Sequence, residues 1–123
     1  MDTYHTILLD HYHHPRNTTP LEQASFISKE YNPSCGDAIT IEGLINGTIL
    51  ERLSFQARGC IINQAFASLL TETCTGKSLA YALSLTVDDV RTIIGIPLGP
   101  IRLKCALLCL QALQEGIKGY HNT

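Results

Sequence analysis

Charge is scarce in this chain. Asp, Glu, Lys and Arg make up 16% of its 123 residues, well short of the charge density that keeps a chain disordered, while apolar residues reach 45%. Neither sign dominates: nine Lys plus Arg against eleven Asp plus Glu leave a net charge of −2, and no basic block occurs. A nucleic-acid partner is not expected, because phosphate binding needs a concentrated positive face. Long apolar runs are missing too. The longest uncharged stretch, residues 59–71, carries Asn63, Gln64 and Ser68 and falls short of the roughly twenty apolar residues of a membrane span. Met1-Asp2-Thr3-Tyr4-His5 has an acid where a secretory leader has a basic region, and no apolar segment follows. There is no repeat, linker or low-complexity segment. These absences predict one domain over residues 1–123, in the cytoplasm and away from membranes. In that reducing compartment an odd count of five cysteines suits metal or sulfur chemistry better than a disulfide framework.

The order of elements follows from periodicity. Asp2 is placed to cap a first helix whose apolar face is Tyr4, Ile7 or Leu8, and His11 or Tyr12, with Pro15 as its stop. Residues 24–31 lean towards a short edge strand, since Lys29 and Glu30 fit an exposed edge. Ile39, Ile41 and Ile45 recur at even spacing before Asn46-Gly47, the dipeptide favoured by a type I′ hairpin. Leu53, Phe55 and Ala57 then alternate with Arg52, Ser54, Gln56 and Arg58. At Gly59 the period changes to 3.6. Ile62, Ala65, Phe66, Leu69 and Thr73 share a face of a helix ended at Gly76; a short helix follows Ser78. Thr86-Val87-Asp88-Asp89 opens another that Gly95 closes. Pro100 starts the last, with Ala106, Leu110, Leu113 and Ile117 as its stripe and fraying expected from Gly119. Strands first and helices later predict an α+β fold: a small antiparallel three-stranded sheet packed against helices.

That order brings distant cysteines together. Cys35 lies in the turn-rich segment Asn32-Pro33-Ser34-Cys35-Gly36-Asp37 before the hairpin, and Cys60 follows Gly59 after it. A hairpin returns the chain to where it began, so both belong to one end of the sheet. Cys105, early in the last helix, is placed to cover the same end. A helix N-terminus favours the Cys60 thiolate, and Arg102 and Lys104 are expected to do so for Cys105. Three crowded thiolates repel one another by about 1 kcal/mol per pair at 4 Å in water and about 4 at an effective dielectric of 20. A soft divalent ion removes that repulsion. Asp37 adds a harder fourth ligand two residues after Cys35, and three soft ligands plus one carboxylate fit tetrahedral zinc or an iron site. Cys74 and Cys109 lack glycine-flanked turns and read as packing residues. His11, His13 and His14 read as capping and dipole partners at a helix end, and Arg16 as a solvated charge or partner contact.

On Asp10-His11-Tyr12 through Pro15-Arg16-Asn17, Asn32-Pro33-Ser34-Cys35-Gly36-Asp37, Gly59-Cys60 with Ala67-Ser68 and Thr71-Glu72, Gly76-Lys77-Ser78, and Arg102-Leu103-Lys104-Cys105-Ala106, the chain resembles the IscU/SufU/NifU N-terminal family of iron–sulfur cluster assembly scaffolds. The resemblance runs over nearly the whole chain. It implies transient assembly of a 2Fe-2S cluster, sulfur delivered as persulfide by a cysteine desulfurase, and transfer to apo iron–sulfur proteins. It also implies that Cys35, Cys60 and Cys105 are the family's three cysteines and that Asp37 is the aspartate tied to cluster release. The first persulfide acceptor would be Cys105 by likeness to IscU, or Cys35 by likeness to SufU; the acceptor must lie at the rim. Lys104 stands where IscU proteins have His, as in the SufU branch. An ammonium group cannot ligate metal, so Lys104 reads as an electrostatic partner of Asp37 or Cys105. The insertion of roughly twenty residues usual in SufU proteins before the third cysteine is missing. So is the Leu-Pro-Pro-Val-Lys segment read by the IscU chaperone, where Pro97-Leu98-Gly99-Pro100-Ile101 stands. Two alternatives remain: a SufU-like zinc-dependent sulfur acceptor, closer to a transferase than a scaffold, and a module whose zinc is structural.

Overall fold

The computed structural model describes residues 3–121. The expected cap at Asp2 lies outside them. Helix α1 (Thr3–His13) precedes three strands, β1 (Phe26–Asn32), β2 (Asp37–Asn46) and β3 (Ile49–Arg58), and four helices, α2 (Ile61–Cys74), α3 (Leu79–Ser84), α4 (Val87–Ile94) and α5 (Pro100–His121). The sheet is antiparallel in the order β1-β2-β3. Along β2 burial alternates strictly, so Ile39, Ile41 and Ile45 face the core as their spacing requires. The hairpin pairs Asn46 with Ile49, leaving Gly47 and Thr48 as its central residues. Gly47 alone of the two has positive φ, +64°, so the turn is type II′ one residue later than the expected type I′, because Asn46 is itself paired in the ladder. A bulge between Leu44 and Ile45 absorbs the offset.

Helices α2 and α5 cover the inner face of the sheet, and α1 lies on the far side of α2. This layering explains why α2 is buried more widely than its predicted face. Leu70, Thr71 and Cys74 are fully enclosed, whereas Leu69 and Thr73 are only half-buried. On α5 the expected stripe is buried, and Cys105, Cys109 and Gly116 join it. Gly116 and Gly43 leave the space in which the Phe26 ring lies, since a side chain at either would overlap it; α5 thereby settles closely on β1. The last helix does not fray at Gly119 but runs to His121. Ser54 departs from the alternation of β3 and is buried. Segment 17–21 crosses that side, where Asn17 O accepts from Phe55 N–H, Thr18 O from the Gln56 amide, and Glu42 from Leu21 N–H.

The inward face of α1 is narrower than its sequence suggests. Leu8 and His11 are buried, whereas Tyr4 and Ile7 are exposed. His11 is therefore a core residue and not a dipole partner: its Nδ1 lies 2.8 Å from Ser68 Oγ and its Nε2 3.7 Å from Glu72 Oε1. Arg16 completes the cluster with Asp10 and Glu72, and its backbone N–H donates to Ser68 Oγ. Burial, aided by the Arg16 guanidinium, lowers the His11 pKa below its ordinary value, while Glu72 and Asp10 partly oppose this. The unfolded chain then binds a proton at His11 that the folded chain does not, so stability is complete above pH about 6.5 and declines as pH falls below it. Thermal unfolding between pH 8 and 5 should show this decline, and His11→Gln should flatten it. A wild-type midpoint that stays level to pH 5 would contradict the assignment.

Candidate metal centre

The turn that carries Cys35 is built from its own side chains. Asn32 Oδ1 accepts from Ser34 N–H at 3.0 Å, and Asn32 O accepts from Gly36 N–H at 2.9 Å. Gly36 then takes φ +76°, which L-residues other than Asn and Asp rarely adopt. The loop lifts Cys35 into solvent and brings the chain into β2 at Asp37, which is 1% exposed.

Asp37 meets the other end of the hairpin through Gly59. Asp37 Oδ1 accepts from Cys60 N–H at 2.8 Å, satisfying a free donor at the start of α2. Gly59 has φ +106°, and any side chain there would collide with the Asp37 carboxylate. Glycine is required at 59 on both counts. Gly59→Ala should cost about 1–3 kcal/mol of stability from the backbone alone and, by displacing Asp37, lower zinc affinity. Competition against a chromogenic chelator checks the second effect; unchanged affinity would mean that Asp37 holds its place without this contact.

Three ligand groups converge. Cys35 Sγ, a carboxylate oxygen of Asp37 and Cys105 Sγ all lie within 4.8 Å of one another. Cys60 falls outside that group but adjoins it, through its N–H on Asp37 and a thiol close enough to act on Cys105. It is half-buried, and a cleft of about 260 Å³ lined by Leu8, Ile62, Ile96 and Arg102 opens beside it. Cys105 is 2% exposed. Burial pushes its thiol well above the ordinary range, and Asp37 and Cys60 push it the same way. This reverses the expectation that Arg102 and Lys104 would favour thiolate. Both cations are exposed, and among the described residues Lys104 makes no ion pair with Asp37. Lys104 instead lines a shallow hollow with Glu30, Tyr31, Asn32 and Pro33, beside the Cys35 turn.

The decisive feature is the second carboxylate oxygen. Asp37 Oδ2 is buried and has no hydrogen-bond partner. A buried polar atom left unpaired costs free energy, and here it belongs to a carboxylate that groups with two sulfurs. Soft sulfur plus one hard oxygen is a donor set for zinc or iron, so these residues fit such an ion. Of the two remaining cysteines, Cys74 is enclosed in α2, with its thiol raised to about 11 by burial. Cys109, one turn past Cys105, donates to Asn63. Both keep the packing role read from sequence. Asn63, in sequence only a polar interruption of an uncharged stretch, is a fully buried amide on the apolar side of α2.

Residues 3–123 match the family of NifU-like N-terminal domains. The zinc-dependent sulfurtransferase SufU of Bacillus subtilis is 32% identical over 95% of this chain and 91% of its own length. The iron–sulfur cluster assembly scaffold protein IscU of Aquifex aeolicus is 37% identical over 95% of this chain and 75% of its own. A crystal structure of a nitrogen-fixing NifU-like protein (N-terminal) from Brucella abortus superposes with a TM-score of 0.79 at 16% identity, covering 98% of this chain and 95% of that one. At that identity the likeness bears on fold alone, and it agrees with the three-stranded sheet and helices described above.

Proposed function

The chain belongs to the NifU-like N-terminal domain family, and on that premise we propose that it is a scaffold on which an iron–sulfur cluster is built and then handed to apo-proteins. The observation that carries this reading is Asp37: a buried carboxylate with one oxygen engaged by Cys60 N–H and the other without a hydrogen-bond partner among the described residues, grouped with the sulfurs of Cys35 and Cys105. Cys35, Asp37, Cys60 and Cys105 hold the iron and sulfide cargo. A 2Fe-2S cluster needs four protein ligands in all, and the oxygen of Asp37 makes that grip weaker than four thiolates would. Looseness suits a cargo that must leave. No described helix is long and apolar enough to cross a membrane, and a cytoplasmic setting, with residues 1–123 acting as one domain, belongs to this reading.

Sulfur enters at the rim. The Cys35 thiolate attacks the outer sulfur of a persulfide on a cysteine desulfurase; the donor S–S bond breaks, the donor leaves as thiolate, and Cys35 carries the persulfide. Exposure of Cys35 and burial of Cys105 support Cys35 as first acceptor. Reduction of that sulfur to sulfide takes two electrons from an external donor. Lys104 lies on the approach to the Cys35 turn and serves the incoming anion there as a free cation.

The same exposure favours a second reading, a zinc-held site from which Cys35 swaps off to accept sulfur, in line with the SufU relative. In that case zinc, held by the four residues, supplies a Lewis-acidic centre that keeps its thiols deprotonated. Anaerobic reconstitution with iron and sulfide, followed by addition of apo-ferredoxin, separates the two. A scaffold acquires stoichiometric acid-labile sulfide and passes a cluster on. Stimulation of a desulfurase by the zinc-loaded protein with no cluster transfer would replace the scaffold reading with the zinc relay.

A further inference from the structure

Behind the ligand group sits one side chain that touches all three segments carrying it. Asn63, in the first turn of α2, is fully buried. Its Nδ2 donates to Ala38 O at 3.1 Å and to Arg58 O at 2.9 Å. Ala38 and Arg58 face each other on the last rung of the β2–β3 ladder. Asp37 immediately precedes the one, and Gly59-Cys60 immediately follows the other. The amide oxygen accepts from Cys109 Sγ at 3.1 Å, and Cys109 stands four residues after Cys105 on α5. The same sulfur lies 3.4 Å from Asn63 O and 3.9 Å from Cys105 O. The thiol donor leaves the amide only one sensible orientation, with its NH₂ towards the two carbonyls.

An amide in this place is unfavourable unless it is used. Asn63 lies among Ile62, Phe66, Ala67 and Leu70, where an apolar side chain would fill the core at no polar cost. Its bonds converge on the residues that flank the ligands. Groups behind a metal site orient those that bind it, and their loss typically lowers affinity by 10–100-fold. Resting on the metal-site reading above, we propose that Asn63, locked by Cys109, is a positioning residue that holds Asp37, Cys60 and Cys105 convergent before a soft divalent cation arrives.

The test is a cobalt(II) titration of the whole apo chain, reading affinity by chelator competition and the thiolate-to-cobalt charge-transfer band, with the thermal midpoint measured alongside. Asn63→Ala is expected to lower cobalt affinity by about 10–100-fold and to weaken or shift the band at saturation. Gln114→Ala is the control. Gln114 makes the same kind of bonds, from its amide to Ala82 O, Leu83 O and Leu85 O, away from the ligands, so its midpoint should fall with band and affinity unchanged. Cys109→Ala removes the lock together with one packed sulfur and leaves Asn63 in place; it decides the matter if Asn63→Ala does not fold, and a severalfold loss of affinity with an altered band is expected. An Asn63→Ala protein, or in its stead a Cys109→Ala protein, that matches wild type in affinity and band would overturn the inference. So would an equal loss in Gln114→Ala, which would reduce the effect to general stability. A wild-type protein with no thiolate–cobalt band would instead sink the metal site itself.

Discussion

Replacing Asp37 by alanine should lengthen the life of a reconstituted cluster severalfold and slow its transfer to an apo-ferredoxin in proportion. Asp37 contributes the one oxygen among sulfur donors, and it is 1% exposed with Oδ2 unpaired. A hard oxygen binds iron less firmly than thiolate, so exchange of the cluster begins at this ligand. The substitution also takes a carboxylate out of the interior. That relieves its desolvation, which costs several kcal/mol for a buried ion, against the loss of about 1.5–3 kcal/mol for the hydrogen bond from Cys60 N–H to the carboxylate. The apo-protein should therefore keep or gain thermal stability while function suffers, a trade common where a site is built at the expense of packing. Absorbance decay after anaerobic reconstitution, in the presence of a chelator, measures the lifetime. A cluster lost faster from Asp37→Ala than from wild type would mean that the carboxylate retains the cargo.

The second large effect separates the two candidate sulfur acceptors. Cys35 is exposed on its turn at the rim of the ligand group; Cys105 is enclosed, and burial keeps it a thiol, with Asp37 and Cys60 adding to the shift. Thiolate is the attacking species, and access decides which sulfur meets a bulky donor. Cys35→Ala should thus abolish persulfide uptake from a desulfurase, whereas Cys105→Ala should retain uptake and lose the ability to hold metal. Mass spectrometry of the intact metal-free chain after a single turnover reads the added sulfur directly. Persulfide found on Cys105 in the Cys35→Ala protein would reverse the assignment. Metal binding displaces thiol protons, so affinity at this centre should also rise with pH.

Lys104 illustrates what local sequence conveys and what it does not. Its place beside Cys105 suggested a charge partner for the site, yet successive residues on a helix point in different directions; Cys105 faces inward while Lys104 faces the Cys35 turn. The same geometry reversed the expectation for the Cys105 thiol. His11 is the complementary case: three histidines at a helix end read as capping and dipole partners, and only the packing of α1 on α2 turns one of them into the core against Ser68.

The sequence by itself determined the order of elements, the hairpin, the capped helices and the meeting of residues 35, 37 and 60 at one pole. These follow from periodicity, turn chemistry and the return path of an antiparallel pair, which are local or nearly local properties. Tertiary structure decided what depends on enclosure: that Cys105 is shielded and Cys35 is not, that one oxygen of Asp37 has no partner, and that Asn63 ties both strand ends to α5. Burial is set by every element packed around a group, so no window of neighbouring residues contains it.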